Sequence, residues 1–254
     1  MKKAILSLGL LAGMVGAAQA QTGMKIGLKA GANMSSFTGT DKQDVTSRFG
    51  ISAGATFNFA LSDMIAVQPE VLFSQKGMKL RYTGEDSSDA TVFNSTGNVS
   101  GTLGQTLSYI DVPVLLRVNT GGSSGEGLFF ELGPQASFLI GQKSAIDTGD
   151  KATVVLAGPN RTNPQGDSMP AFAVGTSTDD FNRIAFGYVA GFGYQLPNGL
   201  SMGIRYAGDI SQVYKDGNGT ADALKPYQAF GAKFTNPKVH NSVFQLQVGY
   251  TLGL

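Results

Sequence analysis

The sequence predicts an all-β protein, an eight-stranded antiparallel transmembrane β-barrel with short periplasmic turns and long extracellular loops, and three observations lead there. The first is the stretch 242–254. Phe244, Leu246, Val248, Tyr250, Leu252 and Leu254 share one face of an extended strand, and Gln245, Gln247, Gly249, Thr251 and Gly253 share the other. Successive strand side chains point to opposite faces, so this ribbon has one apolar side and one small or polar side. The second is the amino terminus, where Lys2 and Lys3 precede an apolar run from Ala4 to about Ala18 and the small-residue site Ala18-Gln19-Ala20. That is the layout of a secretory signal peptide over 1–20, cut before Gln21, with 21–254 as one barrel domain. The third is the spacing of the alternating segments, whose connections run long and short in turn, as in bacterial outer-membrane barrels.

Composition agrees with this reading. The leading apolar run is shorter than the ~20 residues a spanning helix needs, and no later run reaches that length. A closed barrel is then the remaining way to span a bilayer, because all its backbone groups pair between strands. The chain has 19 basic and 18 acidic residues, and removing Lys2 and Lys3 with the leader leaves a net charge of about −1. Nothing in that balance points to nucleic acid. Without cysteine there are neither disulfides nor a lipid-anchor site, and the 35 glycines suit inward positions of a crowded barrel wall.

The elements follow in order. In 24–34, Ile26, Leu28, Ala30, Ala32 and Met34 alternate with Lys25, Gly27, Lys29, Gly31 and Asn33; a polar connection, 35–47, follows. Residues 50–61 put Ile51, Ala53, Ala55, Phe57, Phe59 and Leu61 outward, and Ser62 and Asp63 form a tight turn. A third strand runs from Met64 to as far as Tyr82, and a long polar loop covers 83–104. The fourth strand is 105–119 and, after the turn 120–127, the fifth spans 128–141. The longest connection, 143–181, contains apolar patches at 153–157 and 171–174, which form a small hairpin, a partial plug or an extra strand pair. Residues 184–196 and the segment from Leu200 to about Asp209 flank the turn Pro197-Asn198-Gly199, and 215–239 is the last long loop. Phe59, Phe130, Tyr194 and Tyr250 face outward near the short turns, where an aromatic girdle belongs. Pro69, Pro113 and Pro134 fall in three consecutive strands, and since a barrel has no free edge, local bulges are expected there.

Three stretches also carry a resemblance: Gly27-Leu28-Lys29-Ala30-Gly31-Ala32-Asn33, Val67-Gln68-Pro69-Glu70-Val71-Leu72-Phe73-Ser74-Gln75-Lys76-Gly77, and Tyr109-Ile110-Asp111-Val112-Pro113-Val114-Leu115-Leu116-Arg117. They look like the PorT-type outer-membrane β-barrel proteins of Bacteroidetes-like bacteria, over nearly the whole chain after the leader. The resemblance implies a single barrel in the outer membrane, no enzymatic activity and, in some relatives, a link to secretion or gliding.

The candidate site is a polar network inside the barrel: Glu70, Lys76, Asp111, Arg117, Glu131, Arg205 and Asp209 lie on inward faces. Counted from the short turns, Glu70, Asp111, Glu131 and Arg205 stand at similar heights and are expected to meet. An eight-stranded interior is just wide enough for side chains to fill it, so the network reads as paired and buried, with a proton or ion path or a small-solute site as the alternative. His240 and Ser242 share one face of the last strand near the long-loop rim, superficially like the lipid A deacylases. No third group is placed to orient that histidine, so no catalytic residue is assigned. One histidine and no cysteine give no metal cluster, and no cofactor is expected. The expected partners are outer-membrane lipid, the barrel-assembly machinery during insertion and a protein bound at the outer loops. The expected location is the outer membrane of a Gram-negative bacterium, with both termini periplasmic.

Overall fold

A computed structural model of the chain describes residues 24–39, 45–84, 92–94, 99–122, 125–147, 152–154, 178, 181–215 and 238–252. The leader 1–20 lies outside them. The strands are β1 (Lys25–Gly39), β2 (Val45–Ala60), β3 (Ile65–Gly84), β4 (Val92–Asn94), β5 (Val99–Asn119), β6 (Gly127–Asp147), β7 (Ala152–Val154), β8 (Ile184–Gln195), β9 (Leu200–Asp209) and β10 (Val239–Leu252). Eight of them close into a barrel in the order β1-β10-β9-β8-β6-β5-β3-β2. Every neighbouring pair is antiparallel, and the seam closes from Ile26↔Leu252 to Gly39↔Val239.

The alternation read from the sequence sets the two faces. Leu246, Val248, Tyr250, Phe130, Leu132, Phe186, Phe192, Met202 and Ile204 stand exposed on the outer wall, while Gln245, Gln247, Glu131, Gln135 and Arg205 are buried inside. A soluble protein does not leave so continuous an apolar surface in water, whereas a lipid-facing wall requires one. Phe130, Tyr194 and Tyr250 lie on that wall near the short turns. Of the turn residues in Pro197-Asn198-Gly199, Gly199 carries the positive φ, 84°.

The strands outrun the alternating segments at the opposite end. β1 reaches Gly39 and β2 begins at Val45, so the expected polar connection 35–47 shrinks to 40–44. β5 begins at Val99 inside the expected loop 83–104, and β6 continues to Asp147. Outside lipid the outward face has no reason to be apolar, so these extensions pair in the ladder and leave no period-2 signal.

Among the described residues two bulges break the alternation, one at the edge of the second strand as read and one inside the fifth. One lies in β2 between Ser47 and Ser52, which masked the strand's start. The other lies in β6 beside Ser108 and Tyr109, where Tyr109 faces Leu139 but Ser108 faces Gly141. That extra residue moves Gln142, rather than Gly141, to the inner face, where it is buried. The prolines are not bulged, contrary to expectation. The β3–β5 ladder passes from Pro69↔Val114 to Leu72↔Asp111, and the β5–β6 ladder from Pro113↔Gln135 to Leu116↔Leu132, each in unchanged register. A missing N–H donor drops local ladder positions without demanding an extra residue. Within 143–181, Ala152–Val154 pairs with Val92–Asn94 from another connection, so it forms neither a hairpin of its own nor an added barrel strand. Residues 171–174 lie outside the described residues.

Candidate functional site: a lumen filled in tiers

The inner wall gathers its charges into two tiers. The tier nearer the short turns centres on Arg205, which is 1% exposed. Its guanidinium spans two carboxylates: Nη1 lies 2.8 Å from Glu70 Oε2, and Nη2 lies 2.6 Å from Glu131 Oε1. Nε also donates to Glu131 Oε1 at 2.7 Å. Lys29 closes the ring from the far wall, 2.6 Å from Glu70 Oε1 and 3.7 Å from Glu131 Oε2. Gln68 adds a further donor to Glu70 Oε1 at 2.7 Å. Two cations shared between two carboxylates offset most of the cost of taking all four from water.

The second tier centres on Lys76. Its ammonium lies 3.0 Å from Asp111 Oδ1 and 3.7 Å from Asp209 Oδ1, donates to Ser137 Oγ at 3.1 Å, and stands 4.8 Å above the Tyr109 ring. Asn241 donates to Asp209 Oδ2 at 3.0 Å. Between the tiers Leu115, Val189, Ala207 and Val243 pack into an apolar layer, each almost fully buried. On β9 the sequence of tiers is visible along one strand, as Arg205, Ala207 and Asp209 succeed one another on the inner face.

Of the seven residues expected from the sequence, all are buried, but they do not form one network. Glu70, Glu131 and Arg205 meet. Asp111, expected at their height, stands beyond the apolar layer with Lys76 and Asp209. Barrel strands tilt and their register staggers, so residues counted equally far from their turns do not sit at equal depth. Arg117 pairs with neither tier's carboxylates. It donates to Gln68 Oε1 at 3.3 Å and Gln195 Oε1 at 2.8 Å, and its guanidinium lies 3.8 Å over the Phe129 ring.

Sequence reasoning passed over Lys29 as a partner, although its place on the polar face of β1 between Gly27 and Gly31 was the signal that could have found it. It offered a partial plug from the patches 153–157 and 171–174, but nothing marked Phe181 and Tyr214, which close the long-connection end. There the chain after β9 folds back over the mouth: Tyr214 bridges to Phe181 with ring centres 5.1 Å apart, and meets Phe37 edge-on at 6.3 Å. Tyr214 donates to Gln105 Oε1 at 2.8 Å, and Met78, Leu107, Val213 and Val239 are buried at this end. The opposite, short-turn mouth opens into a cavity of about 390 Å³ whose lining includes Lys25, Asn58, Gln68, Arg117, Asn119 and Gln195.

His240 and Ser242 have separate partners. His240 Nδ1 lies 3.1 Å from the Ser211 carbonyl, and Ser242 Oγ lies 3.1 Å from the Tyr206 hydroxyl. Among the described residues no group of three His, Cys, Asp or Glu side chains is placed to hold a metal ion.

The sequence matches the outer membrane protein beta-barrel domain over residues 18–213. It has no match among curated proteins. Among solved structures it is similar to Neisserial surface protein A, at 12% identity over 91% of this chain and 100% of that one, with a TM-score of 0.43. It is also similar to Ail, the attachment invasion locus protein of Yersinia pestis, over 91% of this chain and 100% of that one, at 13% identity with a TM-score of 0.41 for the complex with the heparin analogue sucrose octasulfate and at 11% identity with a TM-score of 0.39 for a second structure. A third is the outer membrane protein OprG from Pseudomonas aeruginosa, at 13% identity over 92% and 98%, with a TM-score of 0.37.

Proposed function

The chain belongs to the family of the outer membrane protein beta-barrel domain, and from its filled lumen we propose that it is a non-enzymatic envelope protein that binds a partner through the connections at one rim. The observation that carries this reading is the occupancy of the interior: among the described residues, two charge tiers, an apolar layer between them and an aromatic plug leave neither a through-channel nor a reactive cleft. At the long-connection rim the stretches 85–98, 148–183 and 210–238 join successive barrel strands.

In this reading the leader is removed before Gln21 and the barrel-assembly machinery inserts the chain with its short turns and both termini in the periplasm. The long connections then face the medium. The resemblance to the PorT-type proteins favours a partner in secretion or gliding.

The test is topological and then biochemical. A protease site placed near residue 160 should be cut on intact cells, and a tag at the C-terminus should be reached only after the outer membrane is opened. A partner captured by cross-linking the wild type should be lost when residues 155–177 are replaced by a short Gly-Ser linker, with the barrel still folded. Recovery of the chain as a soluble periplasmic protein, or capture indifferent to the loop, would overturn the proposal.

A further inference from the structure

The short-turn mouth holds a cation that no described residue neutralises. Arg117 sits directly across the β5–β6 ladder from Glu131, the natural cross-strand partner. Glu131 is committed elsewhere, to Arg205 at 2.6 Å and Lys29 at 3.7 Å, and among the described residues no carboxylate reaches ion-pair distance from Arg117. The described buried charges number four cations and four carboxylates, but they are unevenly placed. Lys29, Arg117 and Arg205 stand with Glu70 and Glu131 on the short-turn side, and Lys76 stands with Asp111 and Asp209 beyond the apolar layer. Among the described buried residues, one positive charge is in excess at the mouth.

That charge is held rigidly. The guanidinium lies over Phe129 at 3.8 Å, and Phe129 is itself seated against the side-chain-free wall of Gly193 and Gly203; a Cβ at Gly193 would stand 2.5 Å from Phe129 Cζ. Gln68 and Gln195 each accept one hydrogen bond from it, and both are neutral. An arginine has five N–H donors in a fixed fork, and these contacts use two of them. Arg117 is only 8% exposed, yet it lines the cavity of about 390 Å³, a volume within the range of small-ligand sites. A structural ion pair would need its carboxylate here. A receptor needs the fork left open.

We propose that this mouth binds a carboxylate, received by the free N–H groups of Arg117 and surrounded by the amide side chains of Asn58, Asn119 and Gln195. A planar, singly charged carboxylate matches both the fork geometry and the single excess charge, and Lys25 at the rim adds attraction. Asp63, the one acid among the lining residues, is exposed on the β2–β3 turn. The carboxylate belongs either to a small free acid or to the C-terminus of a peptide, which the chemistry of Arg117 does not distinguish.

The full barrel in detergent micelles, with arginine side chains labelled, is titrated with acetate, with acetyl-dialanine as free acid, with its C-terminal amide, and with inorganic phosphate. Acetate or the acid peptide should move the Arg117 Nε–H resonance and the Gln195 and Asn58 side-chain amides to saturation. The amide should leave them in place. Stronger binding of acetate assigns a free acid, and stronger binding of the acid peptide assigns a peptide terminus. Arg117→Lys should weaken binding about tenfold, because an ammonium is a point charge without the fork, and Arg117→Gln should abolish it. Three results would overturn the site: resonances unmoved by either acid, an equal response to the amide or to phosphate, or a response that survives Arg117→Gln. If Arg117→Gln does not fold, the titration of the wild type decides alone, since a purely structural Arg117 gives no saturable shift.

Discussion

Arg205 touches two carboxylates at once, and its loss therefore leaves more than one group in deficit. Without it Glu70 keeps Lys29 and Gln68, but Glu131 keeps only Lys29 at 3.7 Å. Removing one member of a buried charge network costs about 3 to 5 kcal/mol, chiefly because an unneutralised charge stays in a low-dielectric interior. Arg205→Ala should lower the unfolding free energy, read from urea titration in detergent or lipid, by that amount and shift the midpoint down accordingly. Lys29 holds Glu70 in place, so the lower half of the range is expected. Gln247→Ala sets the scale: it removes one neutral hydrogen bond, to Gln245 at 3.1 Å, worth about 1 kcal/mol. Equal midpoints for Arg205→Ala and the wild type would contradict the buried network.

At the scale of the element, β10 shows what lipid does to a sequence. Leu246 is 54% exposed on the outer wall and its neighbour Gln245 is 4% exposed inside. Leu246→Arg near mid-barrel should cost about 2 to 4 kcal/mol in lipid, and His240→Arg at the rim about 0 to 1 kcal/mol, because the penalty for charge falls with distance from the bilayer midplane. Equal costs at the two positions, measured by reversible folding into vesicles, would mean that β10 does not cross the bilayer. The same pressure explains which elements were legible. Where lipid touches the wall, alternation is enforced, and the spanning part of each barrel strand could be read from residues such as Phe244 to Leu252. Above the lipid, Val99 to Gly104 and Lys143 to Asp147 pair without any outward apolar requirement, so those extensions were read as loop. Bulges at Ser47–Ser52 and beside Tyr109 shift parity by one, which a strict period-2 reading cannot carry through. In the lumen, polar identity was legible and depth was not: Asp111 lies on the inner face as read, but strand stagger places it with Lys76. Tyr214 and Phe181 come from outside the barrel strands, where no periodicity marks a residue for burial.

For the whole molecule, the arrangement is a wall of paired strands around an interior made of successive blocks. From the short turns inward these are an open cavity with Arg117 at its base, the Glu70–Arg205–Glu131–Lys29 ring, the Leu115–Val189–Ala207–Val243 layer, the Lys76 tier and the aromatic plug. An ion crossing the barrel would have to displace both charge tiers and pass an apolar layer in which nothing replaces its hydration. Eight strands leave too narrow an interior for a water-filled path beside those side chains; open pores need about 16. The most direct test of this filled lumen is the conductance of the purified full-length barrel in planar bilayers, recorded on membranes in which insertion is verified independently. The account predicts a baseline without steady single-channel openings. Stable, well-resolved openings of the wild-type protein would contradict it.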